Sequence, residues 1–235
     1  MTFHVHGYSE RGMIWTLLGE LARHPDAHNL LAKLLNQISL RSSQPAFEKP
    51  NVSTLMIEQS FSDFGDADAL LLLDYEAGQR CAFIEAKVSC GKSTWHIGNE
   101  LSKFRAGNDS QKKAFSNLFC QLYAKQLLVE TLKQGAVPDE GVAFLEGFKK
   151  RKIGKNKVVH RAVEKLKEYV QHATYIALLS NTEGFHDAVC EFETWSGNTC
   201  GMWAVLSWAQ VEDFCHQHEL ALTLEAFKYN HSQIY

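Results

Sequence analysis

Apolar positions along residues 9–22 (SERGMIWTLLGELA) recur with helical spacing, so that Met13, Ile14, Leu17, Leu18 and Leu21 share one face. Ser9 suits the N-cap, and Glu10 lies in the first turn, where a negative charge is favoured. A second helical stretch, Asp26–Ile38, follows Pro25, and residues 41–50 (RSSQPAFEKP) read as a loop by composition. The pattern then shortens. Val52–Phe61 is the weakest of three strand candidates; Ala67–Tyr75 and Arg80–Val88 are short apolar runs joined by EAGQ, with Gly78 in the turn, and predict a β-hairpin. A long helix is predicted over Ser110–Lys133, stopped by Gly135. Residues 141–148 carry no clear period. Beyond them the pattern predicts a helix over Lys157–Val170, a buried strand over Thr174–Ser180, a strand over Met202–Ser207 and a helix over Gln210–His218. Without repeats or low-complexity segments, this order predicts one α/β or α+β layered domain spanning 1–235.

Composition narrows the class. Of 235 residues, 45% are apolar and 22% charged, which is ordinary for a soluble globular domain. The chain contains no run of about 18 apolar residues and no signal-like start, so the expected location is cytoplasmic, away from membranes. The cysteines at 81, 90, 120, 190, 200 and 215 form no CxxC pair, which points to reduced thiols rather than a zinc or iron–sulfur site. The eleven histidines form no HExxH pattern, and His4, His6 and His96 receive no role. A net charge of −3 hides an asymmetry: residues 149–169 hold nine Lys/Arg and two Glu, a net of +7, so the remainder carries −10. A mildly acidic body with one basic insertion is compatible with a local grip on a polyanion.

The segment FGDADALLLLDYEAGQRCAFIEAKV carries the candidate chemistry. Glu85 and Lys87 lie two apart in a strand and therefore share a face, although Ala82, Ile84, Ala86 and Val88 around them are apolar. Burying charge is costly unless it is paired or bound to a cation. The hairpin carries Asp68 toward Glu85, and two close carboxylates call for a proton or a hard cation between them. Asp66 shares a face with Asp68 but precedes the apolar run, as a solvated strand-start residue would. The plain alternative for Glu85 and Lys87 is a salt bridge of edge-strand charges.

Gly65-x-x-Asp68, an apolar strand, a turn and an apolar strand ending Glu85-Ala-Lys87 resemble the core motif of the PD-(D/E)xK nuclease superfamily. With the helices on either side, the resemblance extends over roughly residues 9–133; Ala67 stands where the family motif has Pro. It implies a restriction-endonuclease-like core, a central mixed sheet with flanking helices. It also implies that Asp68 and Glu85 hold magnesium or manganese while Lys87 positions or activates the attacking water. The first helix often supplies another acid in this superfamily. Glu10 lies within roughly 15° of the centre of the apolar face and Glu20 about 90° away, so Glu10 is the candidate. On the helix after the motif, Gln121 and Lys125 form an i,i+4 pair, and Lys125 stands where many members have Tyr.

The resemblance therefore implies hydrolysis of DNA phosphodiester bonds. Lys125, Lys149, Lys150, Arg151 and Lys152 are the candidate phosphate contacts, and the reading leaves room for a homodimer. A non-catalytic nucleic-acid-binding or assembly module retaining the fold is the alternative. An enzyme acting on RNA or on a small phosphodiester is a third reading.

Overall fold

The apolar runs predicted as a hairpin form the middle of a sheet covered on both faces. A computed structural model describes residues 9–41, 46–88, 96–106, 117–136 and 139–234. Its elements are α1 (Ser9–Arg23), α2 (Ala27–Leu35), β1 (Ser39–Leu40), β2 (Val52–Ser60), β3 (Asp66–Tyr75), β4 (Gly78–Ala86), α3 (Ile97–Ala106) and α4 (Leu118–Lys133). They continue with α5 (Lys157–Leu166), β5 (Ala173–Leu179), α6 (Phe185–Ser196), β6 (Trp203–Ser207), α7 (Trp208–Gln217) and α8 (Ala221–Ile234). Short 3-10 turns occupy Ser62–Phe64 and Lys167–Tyr169.

The described strands make a six-stranded mixed sheet in the order β1-β6-β5-β4-β3-β2. β2, β3 and β4 form an antiparallel meander; β5 then runs parallel to β4, and β6 parallel to β5. The chain is thus α/β.

Alternation of side chains divides the core in two. Leu70, Leu72, Phe83, Ala177 and Leu179 pack on the face covered by α3, α4, α5 and α6. Ala69, Leu71, Leu73, Ala82, Ile84 and Leu178 pack on the face covered by α1, α2, α7 and α8. Covering both faces explains why these strands read as apolar runs without polar alternation.

Several predicted boundaries shift. Tyr75 pairs with Gly78, so the hairpin connection is only Glu76 and Ala77, tighter than EAGQ; Gly78 takes φ +132° there. The second helix ends at Leu35, and the helix predicted from Lys157 to Val170 passes into the 3-10 turn after Leu166. α4 starts at Leu118, where Asn117 accepts hydrogen bonds from the Phe119 and Cys120 amides. The predicted start of that helix at 110–116, and loop residues 42–45, lie outside the described residues.

α7 starts two residues before Gln210, because Ser207 and Gln210 form a reciprocal capping box. α8 was not legible as an apolar stripe, since Thr223 and Asn230 occupy its buried face. Its N-terminus is capped from α1: the Glu20 carboxylate accepts from the Leu222 amide at 3.0 Å and the Thr223 amide at 2.8 Å. No helix among the described residues is long and apolar enough to cross a membrane.

Candidate active site

The entry into β3 is built around Gly65. Its φ of +79° turns the chain out of the 3-10 turn, and a Cβ there would stand 3.3 Å from the Lys125 ammonium. The backbone angle favours glycine, and a side chain here would also press on the enclosed Lys125 ammonium. Three residues on, Asp68 lies where strand pairing lapses on both sides. Pairing of β2 with β3 skips from Ile57↔Ala69 to Gln59↔Ala67, and pairing of β3 with β4 ends at Ala69↔Ile84. Glu58, in the skipped position, has φ +50°, an unusual conformation for a residue with a side chain.

In place of a ladder bond, the Asp68 carboxylate accepts from the Ala86 amide at 2.9 Å. That bond ties the start of β3 to the end of β4, and continuing the Ala69↔Ile84 register sets Asp68 opposite Glu85. Asp68 is 7% exposed and Glu85 wholly buried, whereas Asp66 is exposed.

Glu85 and Lys125 form an ion pair of 3.0 Å in which neither side chain is exposed. The Lys125 ammonium also donates to the Asp66 carbonyl at 3.1 Å. The other Glu85 oxygen, Oε2, is buried and meets no donor among the described residues. Burial pushes the Glu85 carboxyl above its usual range; Lys125 opposes that shift, Asp68 adds to it and Lys87 opposes it. Each of these groups therefore lies within electrostatic reach of Glu85.

Lys87 is pinned through its backbone: its amide donates to the Leu178 carbonyl at 2.9 Å, and its carbonyl accepts from the Trp208 indole at 3.0 Å. Its side chain is half-buried. Gln121, one turn before Lys125 on α4, carries a buried amide oxygen that also meets no donor among the described residues.

Two residues without a sequence signal complete the cluster. Arg11 spans from Glu58 at 3.5 Å to Asp68 at 3.8 Å, at the N-terminal turn of α1. Glu10, its neighbour, is half-buried in the same turn, but the side chain of that turn that pairs with Asp68 is Arg11. Helical periodicity favours Glu10 because it measures alignment with the apolar stripe, and Arg11 reaches the cluster from beside that stripe.

The candidate phosphate contacts separate by burial. Lys149, Lys150 and Lys152 are exposed. Arg151 is 3% exposed and takes a structural place: its guanidinium lies 4.4 Å from the Phe144 ring centroid and donates to the Asp63 carbonyl at 3.1 Å. Lys125 is enclosed against Glu85, so it belongs to the carboxylate cluster and not to a phosphate-binding surface. The basic loop also pairs with the turn leading into β3, through the Asp63 amide and the Lys152 carbonyl at 3.1 Å. The exposed lysines are thereby anchored beside the segment that carries Asp68.

Among the described residues, no three His, Cys, Asp or Glu side chains converge as a metal-holding group. The donors present are two carboxylates, one with a buried, undonated oxygen. Such a set suits a magnesium-like ion, which commonly takes one or two carboxylates and fills its remaining positions with water and phosphate oxygens. Comparison of the chain with protein-family models, curated proteins and solved structures finds no match.

Proposed function

We propose that the chain is a divalent-cation-dependent nuclease of the PD-(D/E)xK type that hydrolyses DNA phosphodiester bonds. The observation that carries this reading is the buried, undonated Oε2 of Glu85, with Asp68 and Lys87, the residue just past the end of β4, in electrostatic reach. An unmet buried acceptor is costly, and a bound cation would satisfy it. The six-stranded mixed sheet with helices on both faces is compatible with the same reading: α1 and α2 precede the β2–β4 meander, and α3, α4 and α5 lie between it and β5.

In this reading Asp68 and Glu85 hold magnesium or manganese. That ion would polarise a phosphate and make water more acidic. Lys125 opposes the upward push that burial exerts on the Glu85 carboxyl, and its contact with the Asp66 carbonyl fixes the turn before Asp68. Lys87 brings its ammonium to the attacking water and the negative charge growing on phosphate. Lys149, Lys150 and Lys152 hold backbone phosphates without reading sequence.

The test is cleavage of linear, circular and single-stranded DNA with magnesium, with manganese and with chelator, by the parent and by Asp68→Ala and Glu85→Ala. Cation-dependent cleavage lost in both folded variants is the expected result. Cation-independent cleavage, or variants as active as the parent, contradicts the reading.

One observation favours a second reading. Glu85 already has a protein cation as partner, fully enclosed, as in a non-catalytic nucleic-acid-binding module that retained the fold. Such a module would show no divalent-ion binding that depends on Asp68.

A further inference from the structure

The cluster is balanced in charge. Asp68, Glu85 and Glu58 face Arg11, Lys125 and Lys87, three negative groups against three positive ones. A divalent cation entering between Asp68 and Glu85 would leave an excess of two positive charges. That excess weakens the hold of Asp68 on any neighbouring cation and favours an incoming anion.

The two cations paired with the carboxylates differ in freedom. Lys125 is wholly enclosed, whereas the Arg11 side chain is 53% exposed and its ion pairs among the described residues are long, 3.8 Å to Asp68 and 3.5 Å to Glu58. A guanidinium carries five donors in a planar fork suited to phosphate oxygens, and these contacts leave most of them available. Glu58, with its unusual backbone angle, holds the guanidinium at the mouth of the site. The buried, undonated oxygen of Glu85 is a second, independent observation that suits a cation beside Asp68.

We propose that Arg11 receives the substrate phosphate at this site and occupies Asp68 only until a divalent cation takes that carboxylate. This rests on the nuclease reading above and adds a positioning residue that neither the motif nor the helix pattern indicated. An exposed pair with long contacts is weak, so the competition it exerts is small but measurable.

Two titrations test it on the full chain. In the first, manganese alone is titrated calorimetrically into the parent, Arg11→Ala and Asp68→Ala. Arg11→Ala is expected to bind manganese about two- to fivefold more tightly, since a competing cation is gone, a scale set by weak surface pairs. In the second, a duplex oligonucleotide is bound in calcium. Arg11→Ala is expected to bind it at least about threefold more weakly, with the salt slope reduced by about one phosphate contact. Manganese affinity equal to or below the parent's, or unchanged oligonucleotide binding, overturns the proposal. If Asp68→Ala binds manganese as the parent does, the cation site itself fails and the proposal falls with it. If Asp68→Ala loses manganese while Arg11→Ala matches the parent, the proposal about Arg11 alone fails.

Discussion

Asp68 and Glu85 are neighbouring buried carboxylates, each paired with a basic side chain, yet the two basic partners stand in opposite surroundings. Glu85 and Lys125 are enclosed, held at 3.0 Å by packing between β4 and α4. Asp68 is itself buried, but its partner Arg11 is half-exposed and approaches from the solvent rim at 3.8 Å. Enclosure turns a charge pair into part of the fold, because removing either member strands the other in a dry site. At the rim water screens the same pairing, and it can be exchanged for a ligand. The cluster thus combines a fixed half, which sets the geometry, with a half that, on the nuclease reading, would exchange its pairing for cation and phosphate.

The comparison breaks most visibly at Lys125. Lys125→Met should cost about 3–5 kcal/mol of unfolding free energy at neutral pH, the usual scale for stripping one partner from a buried pair. Adding Glu85→Gln to it should recover much of that loss. Arg11→Ala should change stability by less than about 1 kcal/mol. Urea unfolding of the four proteins measures all of this, and equal losses at Lys125 and Arg11 would erase the distinction between the two halves.

A pH series sharpens it further. Burial raises the Glu85 carboxyl above its ordinary value of 4.5. A carboxyl with a raised folded value contributes stability that is complete below its unfolded value and is lost as pH climbs through the raised one. Stability of the cation-free parent should therefore decline relative to Glu85→Gln as pH rises above about 4.5. Thermal midpoints of the two proteins across pH 4–8, chelated, test this; parallel curves would show that Glu85 titrates as an ordinary carboxyl. Added manganese should restore the parent at the upper end, since the cation binds the charged form.

The smallest effect lies outside the carboxylate cluster, in the basic loop. Replacing Lys149, Lys150 and Lys152 by Gln should leave stability intact and reduce the magnitude of the salt slope of DNA binding by about 2–3, roughly 0.9 for each phosphate no longer neutralised. Arg151→Met should instead destabilise the fold, because that guanidinium is buried against Phe144. An unchanged salt slope after the triple replacement would return these lysines to a solvated loop.

The contrast between halves also marks how far the sequence could be read. The hairpin and its carboxylates were legible because Glu85 and Lys87 interrupt an apolar strand at a spacing that fixes their common face. Asp66 and Asp68 differ in where they stand relative to the start of the apolar run, and their exposures differ accordingly. α6 is absent from the predicted helices although Phe185, Ala188, Val189 and Phe192 have helical spacing, a signal present in the sequence. α8 offers a weaker one, because Thr223 and Asn230 on its buried face defeat a division into apolar and polar.

Arg11 and Glu58 carry no sequence signal at all. Their place in the cluster depends on how α1 meets the sheet and on a lapse in strand pairing, both set by residues distant in the chain. The basic run was legible as charge, but not the burial of Arg151 within it, which arises from packing against Phe144 and the turn before β3.

The most direct measurement of the central claim is the rate of magnesium-dependent DNA cleavage by Lys87→Ala beside the parent. Lys87 directly follows the strand that carries Glu85 and is placed by its backbone bonds to Leu178 and Trp208, so removing its side chain leaves those bonds in place. The account predicts a rate lower by about a hundredfold or more, with manganese and DNA binding nearly intact, the scale for losing one well-placed catalytic group. Lys87→Arg should recover little, because a broad planar guanidinium is a poor replacement for a compact ammonium. A Lys87→Ala protein cutting at the parental rate, or a parent that cuts nothing with any divalent ion, would contradict it.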